Sequence, residues 1–595
     1  MTDPSTTAVS PPRFALGDGS AAFEAACDQA RDEDWANRLF DHDVSLWSDD
    51  PAVQAGIAGR LGWLDAPEHF TDRIAALEGF GDGIVASGFT TAVVAGMGGS
   101  SLAPDVLYRT FGSQDGYLAL RILDSTDPAY VSAVTDDLDP LFTLTIVASK
   151  SGTTTEPNAF LADAWTRAEA AMAGIKHHHS YDNGGAMIVA ITDPGRSVEA
   201  LAHSDDFREV FLNPPDIGGR YSALTYVGLV PASLIGLDLD ALLASASTMV
   251  GACRQPDPSA NPGVSLGLAI GTLAKAGRDK LTFLIDDELA SFGGWLEQLI
   301  AESTGKHGVG IVPVDREPLG AVAAYGPDRA FVRIALVDGT AGGRDALATA
   351  LGEAGHPVIR IAVSDPIDLG AEFVRWEVAT AIAGAVLGID PFDQPNVEEA
   401  KELTRTVLAR LEAGEAPAGT EPDPFASADG LSLFGDPGLA AMAASGDVVA
   451  GLAAHLLRRR DDAYLCLQAF ITPSPEADEG LSRIRALLRD RTGRATTAGY
   501  GPRFLHSTGQ LHKGGTASGW FIQLTAGHAV DREIPGWPYT FGQLIDAQAA
   551  GDRAAIESHD LPLLRVHLGT DITGGLAALE RALVAALDTA HTTEA

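Results

Sequence analysis

Short apolar runs alternate with helix-like stretches along most of the chain. Four runs in the first half are typical of buried strands, and each ends in turn residues: 91–95, 118–123, 144–148 and 187–191. Helical periodicity fills the gaps between them, for example over 103–110 and 156–173. Strand–helix alternation of this kind predicts a parallel, doubly wound sheet with helices on both faces.

The same alternation occurs twice more along the chain. A second set of strand-like runs lies at 281–284, 310–313, 331–336 and 358–363, and a third at 465–471, 520–524 and 564–568. An amphipathic helical pattern over 576–587 follows the last run. The predicted fold class is therefore α/β, with two doubly wound three-layer αβα domains and a C-terminal α/β unit.

Composition shifts divide the chain into five predicted segments. These are a largely helical N-terminal segment (1–78), a first α/β domain (79–255), a second α/β domain (256–415), a linker (416–437) and a C-terminal α/β domain (438–595). The linker is placed at a stretch rich in Pro, Gly, Ala and acidic residues. The N-terminal segment is too short for a (β/α)₈ barrel, which needs roughly 200 residues or more.

Charge and cysteine content narrow the class of protein. The formal net charge is −39, so we expect neither nucleic acid nor an anionic membrane as a partner, and an anionic substrate needs a local cluster of donors. The three cysteines are far apart and match neither a disulfide framework nor a metal site. With no signal-like N-terminus and no membrane-like apolar run, we expect a cytoplasmic protein.

A glycine-rich turn follows the first predicted strand. It reads Gly-Met-Gly-Gly-Ser-Ser over 96–101, where glycines allow close backbone approach to a ligand and a following helix offers free N–H groups. Asp124 ends the next strand, which raises a dinucleotide-binding interpretation. That fingerprint fails because Ser101 occupies the place of the third glycine. A plain strand–helix turn stays an alternative.

A second polar turn follows the strand-like run 144–148. It reads Ser-Lys-Ser-Gly-Thr-Thr-Thr-Glu over 149–156 and opens a helical pattern. Hydroxyl and backbone donors at a helix start suit a phosphate dianion. Serine and threonine also serve as helix N-caps, but capping accounts for one hydroxyl and not for several around a glycine. The two turns together predict a phosphate site.

These two turns resemble the sugar isomerase (SIS) fold, and Ser-Lys-x-x-Thr-Thr resembles the phosphate loop of the phosphoglucose isomerase family. The resemblance implies two SIS domains and no cofactor or metal. It also implies contacts with substrate or its phosphate by Gly99, Ser100, Ser149, Lys150, Ser151, Thr153 and Thr154.

Three more segments are similar to motifs of this family and occur in its order: Gly-Gly-Arg-Tyr-Ser over 218–222, Ala-Glu-Ser-Thr-Gly-Lys over 301–306 and Gln-Pro-Asn-Val-Glu-Glu-Ala-Lys over 394–401. By resemblance, Glu302 is the catalytic base and Arg220 faces the reacting carbons. Lys401 has a catalytic role and Gln394 a binding role.

The segment 499–515 resembles the isomerase half of bacterial transaldolase–phosphoglucose isomerase fusion proteins. The family places its catalytic histidine, in a Leu-His-Ser-x-Gly-Gln setting, between the glutamate and the lysine, whereas here that setting follows Lys401. We assign the role to His506, with His512 as the second choice.

The resemblance implies reversible isomerisation of glucose 6-phosphate and fructose 6-phosphate through a cis-enediol(ate), with a glutamate base. Two alternatives stay open: a dual phosphoglucose/phosphomannose isomerase, and a non-catalytic sugar-phosphate-binding protein of the SIS fold. The resemblance also implies a homodimer in which a histidine is contributed across the interface.

Overall fold

The N-terminal segment is mostly helical, as predicted. The computed structural model describes residues 9–173, 183–412, 423–443 and 446–594. The segment contains β1 (Arg13–Ala15), α1 (Ser20–Asp32), α2 (Trp35–Phe40), α3 (Pro51–Ala58), α4 (Ala66–Thr71) and α5 (Ile74–Ala86). The three residues of β1 are too few to give a strand signal in the sequence.

The first unit is built on a five-stranded parallel sheet in the order β3-β2-β4-β5-β6. Its elements are β2 (Thr91–Gly96), α6 (Gly99–Phe111), β3 (Ala119–Leu123), α7 (Pro128–Thr135), β4 (Thr143–Ala148), α8 (Thr155–Ala173), β5 (Ile188–Thr192), α9 (Arg196–Glu199), β6 (Glu209–Leu212), α10 (Tyr226–Leu234) and α11 (Leu239–Cys253). The four predicted strands are confirmed. Strand β6 was not predicted, because it lies at the edge and has no fully buried residue.

The second unit repeats this plan with parallel strands in the order β10-β9-β7-β8. Its elements are α12 (Pro262–Lys275), β7 (Lys280–Ile285), α13 (Phe292–Thr304), β8 (Val312–Val314), β9 (Arg329–Leu336), α14 (Arg344–Glu353), β10 (Val358–Val363) and α15 (Leu369–Leu387), followed by α16 (Val397–Glu412). Strand β1 pairs antiparallel with β10, with Phe14 opposite Ile359, so the N-terminal segment extends this sheet.

The third unit is a six-stranded mixed sheet in the order β11-β12-β16-β15-β13-β14. Its elements are β11 (Ala426–Ala428), β12 (Leu431–Phe434), α17 (Pro437–Met442), α18 (Val448–Leu456), β13 (Tyr464–Phe470), α19 (Pro475–Thr492), β14 (Thr496–Tyr500), α20 (Gly509–Gly514), β15 (Gly519–Thr525), α21 (Phe541–Ser558), β16 (Leu563–His567) and α22 (Ile572–Glu594). Strands β13 to β16 are parallel, and the α/β class predicted for all three units is confirmed.

Strands β11 and β12 fall inside the range predicted as a linker, 416–437. They form an antiparallel pair, and β12 joins the sheet through β16 because Leu431 and Leu433 alternate inward on its buried face. Part of the predicted linker, 416–422, lies outside the described residues. The domain boundaries themselves stay predictions.

Apolar packing joins the three units. A continuous apolar core links the N-terminal segment with the first two units, and the Trp47 indole donates a 2.8 Å hydrogen bond to the Ala381 carbonyl inside it. The third unit has its own core, and Phe541 stacks on Phe160 of α8 with ring centroids 6.1 Å apart.

Among the described helices, none combines the length and apolar character needed to cross a membrane.

Candidate functional site

A cavity of about 550 Å³ lies where the three units meet. Strands β2 and β4 are adjacent and parallel, with Gly96 opposite Ala148, so the turns that follow them leave the sheet side by side. The predicted site residues that line this cavity are Gly99, Ser100, Ser149, Lys150, Ser151, Thr153, Thr154, Arg220, Glu302, Gln394, Lys401 and His506.

Both turns need glycine, because the backbone of a neighbouring segment lies very close to each of them. A Cβ on Gly99 would lie 2.1 Å from the Gly219 carbonyl oxygen. Gly152 has φ +67°, and a Cβ there would lie 2.0 Å from the Ser197 carbonyl oxygen. Any side chain at these positions would displace backbone, so the turns keep their shape only with glycine.

Hydroxyl groups of the second turn are ordered by one another. Ser149 Oγ donates to Thr154 Oγ1 at 3.1 Å, and the Ser151 and Thr153 hydroxyls lie 2.9 Å apart. Hydroxyls can reorient their hydrogens toward an anion without moving the backbone. The turn therefore presents a set of donors suited to phosphate oxygens.

Lys150 is engaged away from that set. Its ammonium donates to the carbonyls of Pro215 and Ile217 at 2.9 Å each, and it forms a 2.7 Å ion pair with Asp193. An ammonium has three N–H donors, and these three acceptors use them. The predicted phosphate contact of Lys150 stays a prediction, and the geometry assigns the side chain to support of the turn.

Glu302 and Arg220 form a buried ion pair at the wall of the cavity. Glu302 Oε1 lies 3.2 Å from Arg220 Nη1, and the two residues are 7% and 3% exposed. Gln298, one helical turn before Glu302 on α13, donates to Glu302 Oε2 at 3.0 Å. Both carboxylate oxygens are thus oriented by donors, which fixes the side chain at the cavity wall.

Arg220 is held by acceptors of the second unit. Its Nε donates to Ser303 Oγ at 2.7 Å, and its Nη1 donates to Gln394 Oε1 at 2.9 Å. Its Nη2 donates to the carbonyl oxygens of Pro391 and Asp393 at 2.8 and 2.9 Å. The guanidinium is therefore a fixed positive charge, and Gln394 is tied to it directly.

His506 enters the cavity from the third unit. Its Nε2 lies 3.0 Å from Glu156 Oε1, and Gln548 of α21 donates to the same oxygen at 2.6 Å. Burial by itself raises the pKa of Glu156, but the adjacent His506 outweighs it and holds this pKa below its usual value. Glu156 thus stays a carboxylate that orients the imidazole.

His512 does not line the cavity. It is buried on α20, with Nδ1 3.4 Å from Gln468 Nε2 and the ring 5.1 Å from that of Phe521. Burial first, and then the neighbouring Lys513, hold its pKa well below the usual value. The second choice for the catalytic histidine is therefore placed in the core of the third unit.

Lys401 lies on α16, which packs against α21, and it faces the cavity near Glu156. The charge of Lys401 helps to lower the pKa of Glu156.

Lys306 contacts the segment that immediately precedes Gln394. Its ammonium donates to the carbonyls of Asp390 and Asp393, and burial, followed by repulsion from Arg220, lowers its pKa to about 8.

Three residues that line the cavity were missed by sequence reasoning: Glu156, Gln298 and Gln548. Glu156 directly follows the threonines of the second turn, and Gln298 precedes Glu302 by one helical turn. Their positions in the sequence were therefore weak indications that they lie at the site. Gln548 had none, because nothing in the sequence places α21 against the first unit. Within the described ranges, no group of three or more His, Cys, Asp or Glu side chains is placed to hold a metal ion.

Comparison with known proteins identifies the family of the chain. A family profile described as phosphoglucose isomerase matches residues 45–316. A glucose-6-phosphate isomerase of Rubrobacter xylanophilus is 31% identical over 412 residues, covering 60% of this chain and 93% of that protein. The chain belongs to the phosphoglucose isomerase family. A second relative with the same name, from Symbiobacterium thermophilum, is 30% identical and is covered over 88% of its length.

A solved structure supports the fold over a similar share of the chain. The crystal structure of a hypothetical protein from Thermus thermophilus superposes with a TM-score of 0.53 at 26% identity, over 67% of this chain and 100% of that one. The phosphoglucose isomerase profile includes both phosphate turns, Arg220 and Glu302, but it ends before Gln394, Lys401 and His506.

Proposed function

We propose that this chain is a glucose-6-phosphate isomerase, which interconverts glucose 6-phosphate and fructose 6-phosphate. One observation carries the proposal: a buried carboxylate–guanidinium pair and a set of hydroxyl donors line the same cavity in a chain of this family. A phosphorylated sugar needs an anion site at one end and proton-transfer groups at the other.

Glu302 acts as the base of the isomerisation. Moving a hydrogen between neighbouring carbons C2 and C1 requires one group that reaches both, and a single carboxylate fixed at the cavity wall meets this need. Arg220 stabilises the negative charge that develops on the enediolate oxygens. Its five N–H donors are already used by five acceptors, so the guanidinium acts as a fixed positive charge beside the cavity and needs little reorganisation.

His506 and Lys401 assist ring opening and proton transfer at the sugar oxygens. A histidine is suited to this role because its unperturbed pKa lies near neutrality. Its ring is oriented by the Glu156 carboxylate, which lies 3.0 Å from Nε2 and accepts a hydrogen bond when Nε2 carries the proton. The open side of the imidazole then faces the cavity.

The two turns after β2 and β4 bind the phosphate. Backbone N–H groups of the glycine-rich turn and hydroxyls such as Ser100, Ser151 and Thr154 supply neutral donors to the dianion. This remote binding energy holds the carbon chain in register with Glu302 and so contributes to turnover.

We infer a cytoplasmic location and homodimeric association as accompanying properties. The three cysteines, Cys27, Cys253 and Cys466, are buried and free, as suits a reducing compartment. The homodimer rests on the resemblance to the family.

The deciding experiment is incubation with fructose 6-phosphate and identification of the product by NMR. Glucose 6-phosphate alone supports the proposal, a mixture with mannose 6-phosphate indicates a dual isomerase, and no conversion contradicts catalysis. In Glu302→Gln, we expect kcat to fall by roughly 10²- to 10⁴-fold with little change in phosphate affinity. The matched variant Glu353→Gln, on the exposed end of α14, should keep normal turnover; near-normal turnover of Glu302→Gln would exclude it as the base.

A further inference from the structure

A separate cavity of about 300 Å³ adjoins the turn that carries His506. Helices α6, α13 and α19 and strand β14 contribute to its walls, so all three units form it. Arg503 and Phe504 of the turn line this cavity, whereas Leu505 and His506 line the cavity that contains Glu302. One turn of the chain therefore separates this space from the isomerase cavity around Glu302.

Two guanidinium groups of this separate space, which we call the arginine cavity, lie close to Gly294 of α13. A Cβ on Gly294 would lie 3.8 Å from Arg316 Nη2 and 3.8 Å from Arg503 Nη2. These are ordinary contact distances, so packing does not require glycine at this position. The glycine leaves open the space next to both guanidinium groups.

Both guanidinium groups have N–H donors to spare. Arg316 Nε lies 3.2 Å from Asp315 Oδ2, and Arg503 Nε lies 3.3 Å from Asp124 Oδ2. Asp124 is the acid after β3 that had suggested a nucleotide site. Neither guanidinium donates a hydrogen bond to any described residue. Because an arginine has five N–H donors, an anionic ligand group can be bound by both side chains at once.

An unpaired carboxyl lies one helical turn further along α13. Glu297 follows Gly294 by three residues, so the two positions share one face of the helix, with Cβ positions roughly 5–6 Å apart. Glu297 lines the arginine cavity, and its carboxyl has neither a hydrogen bond nor an ion pair with the residues that the structure describes. Burial, and then repulsion from Asp315, raise its pKa to about 7, although three arginines oppose these effects. A cationic ligand group would relieve both effects.

The charges around the arginine cavity select the class of ligand. Its lining includes three arginines and three acids: Arg316, Arg485, Arg503, Glu297, Asp315 and Asp478. Asp124 and Asp105 add negative charge next to Arg503, at 3.3 and 3.9 Å. A dianion such as a sugar phosphate is therefore repelled by the acids, whereas a molecule with one charge of each sign is complementary to both sets of groups.

The size and the apolar part of the lining limit the ligand further. A cavity of about 300 Å³ is at the lower end of the range for small-molecule sites, so the ligand is small. Leu102, Leu481 and Phe504 supply apolar surface for a short carbon chain.

We propose that the arginine cavity binds a small amino acid or a related zwitterion. Its carboxylate contacts Arg316 and Arg503, and its ammonium contacts Glu297. Arginine–carboxylate contacts are charge-assisted and can be bidentate, which orients the anionic end of the ligand. The site is separate from the isomerase cavity, and its occupation does not require the proposed function.

Isothermal titration calorimetry of the full chain measures this binding. The probes are glycine, alanine, β-alanine and γ-aminobutyrate, which differ in carbon chain and in the spacing of carboxylate and ammonium, and propionate and propylamine, which carry one charge each. We expect saturable binding of at least one zwitterion with a Kd of about 1 mM or lower, and at least about tenfold weaker binding of both singly charged analogues. Binding of no zwitterion, or equal binding of propionate, would overturn the proposal.

Two variants test whether the zwitterion occupies the arginine cavity. Gly294→Leu fills the space next to both guanidinium groups, and Arg316→Ala removes one of them. Each should weaken zwitterion binding by roughly tenfold or more. The matched control Arg483→Ala, which removes an exposed arginine of α19 that pairs with Glu580, should leave the Kd unchanged. The Arg316 side chain is 56% exposed, so Arg316→Ala decides the test if Gly294→Leu does not fold, and an unchanged Kd in Arg316→Ala would contradict the site.

Conversion of fructose 6-phosphate, measured in the same samples, separates the failure of this site from that of the proposed function. Arg316 does not line the isomerase cavity, so Arg316→Ala should keep normal conversion while zwitterion binding weakens. A protein that binds the zwitterion but does not convert fructose 6-phosphate contradicts only the proposed isomerase. A protein that converts it but binds no zwitterion contradicts only the zwitterion site.

Discussion

Two histidines on one short segment of the third unit lie in opposite surroundings. His506 faces the cavity and contacts a carboxylate, whereas His512 is enclosed by Phe504, Phe521 and Tyr464. The first has a carboxylate partner, with Nε2 3.0 Å from Glu156 Oε1. The second has only Gln468, the Cys466 thiol and a nearby ammonium, so its charged form is disfavoured.

The difference shows that motif context alone does not select a catalytic histidine. Both residues belong to the stretch that resembles the fusion isomerases, and each lies between a leucine and a polar residue. What separates them is the element that each faces: α8 of another unit for His506, and strands β13 and β15 of its own sheet for His512. Variants of the two histidines and of their neighbours test this difference.

The largest expected effect comes from exchanging each histidine in turn. In His506→Asn, kcat should fall by roughly 10²- to 10⁴-fold, because an acid–base group is lost from the cavity. In the matched variant His512→Asn, kcat should stay close to that of the unmodified protein while the thermal midpoint falls, because a buried ring is removed. Steady-state kinetics and thermal unfolding measure both; a reversed pattern of kcat would transfer the catalytic role to His512.

Removing the negative partner of His506 should have the next largest effect. In Glu156→Gln, the charged hydrogen bond to the imidazole is lost, which costs about 1.5–3 kcal/mol, or roughly a ten- to hundredfold decrease in kcat. Glu78→Gln, on the exposed face of α5, is the matched control. Unchanged kcat in Glu156→Gln would mean that the carboxylate only fills space.

Weakening the phosphate turn should act on binding rather than on turnover. In Ser151→Ala/Thr154→Ala, we expect KM to rise roughly tenfold or more with a smaller change in kcat, because the lost hydroxyls are donors to the dianion and do not transfer protons in the reaction. Thr340→Ala, beyond β9 in the second unit, should leave KM unchanged. If KM did not change in the double variant, the substrate would not lie with its phosphate at this turn and its reacting end near His506.

The sequence predicted the parts of the site that are local. The glycines and hydroxyls of both turns follow buried strands, and parallel pairing of β2 with β4 brings such turns together. Glu302 and Arg220 were assigned by resemblance, and in the structure they form a buried ion pair.

Features that depend on docking between units were beyond the sequence. The roles of Gln548 and Arg503 depend on contacts of the third unit with Thr126 and Asp124. The hydrophobic periodicity of the sequence does not predict these contacts. The choice between the two histidines has the same origin. Lys150 shows a further limit, because its residue type suggested a phosphate contact while its neighbours Pro215, Ile217 and Asp193 take its donors.

The smallest predicted effect is on the pH dependence of stability. Burial holds the pKa of His512 well below its ordinary value, and burial also lowers the pKa of His455 to about 3. In the unfolded chain, the pKa values of both histidines return to about 6.5. Below that pH, the unfolded chain therefore binds protons that the folded chain does not bind. Stability from these two groups is therefore complete above about pH 6.5 and is lost as pH falls, by up to about 1.36 kcal/mol per pH unit for each histidine.

His512→Phe keeps an aromatic ring among aromatic neighbours but cannot take up a proton in the unfolded state. Its stability should therefore decrease less between about pH 6.5 and pH 5 than that of the unmodified protein, as measured by urea unfolding at several pH values. His506→Asn serves as the comparison, because the side chain that it removes faces the cavity instead of the core. If His512→Phe left the acid sensitivity unchanged, the buried ring would already be charged in the folded protein, and the contrast between the two histidines would rest on the Glu156 contact alone.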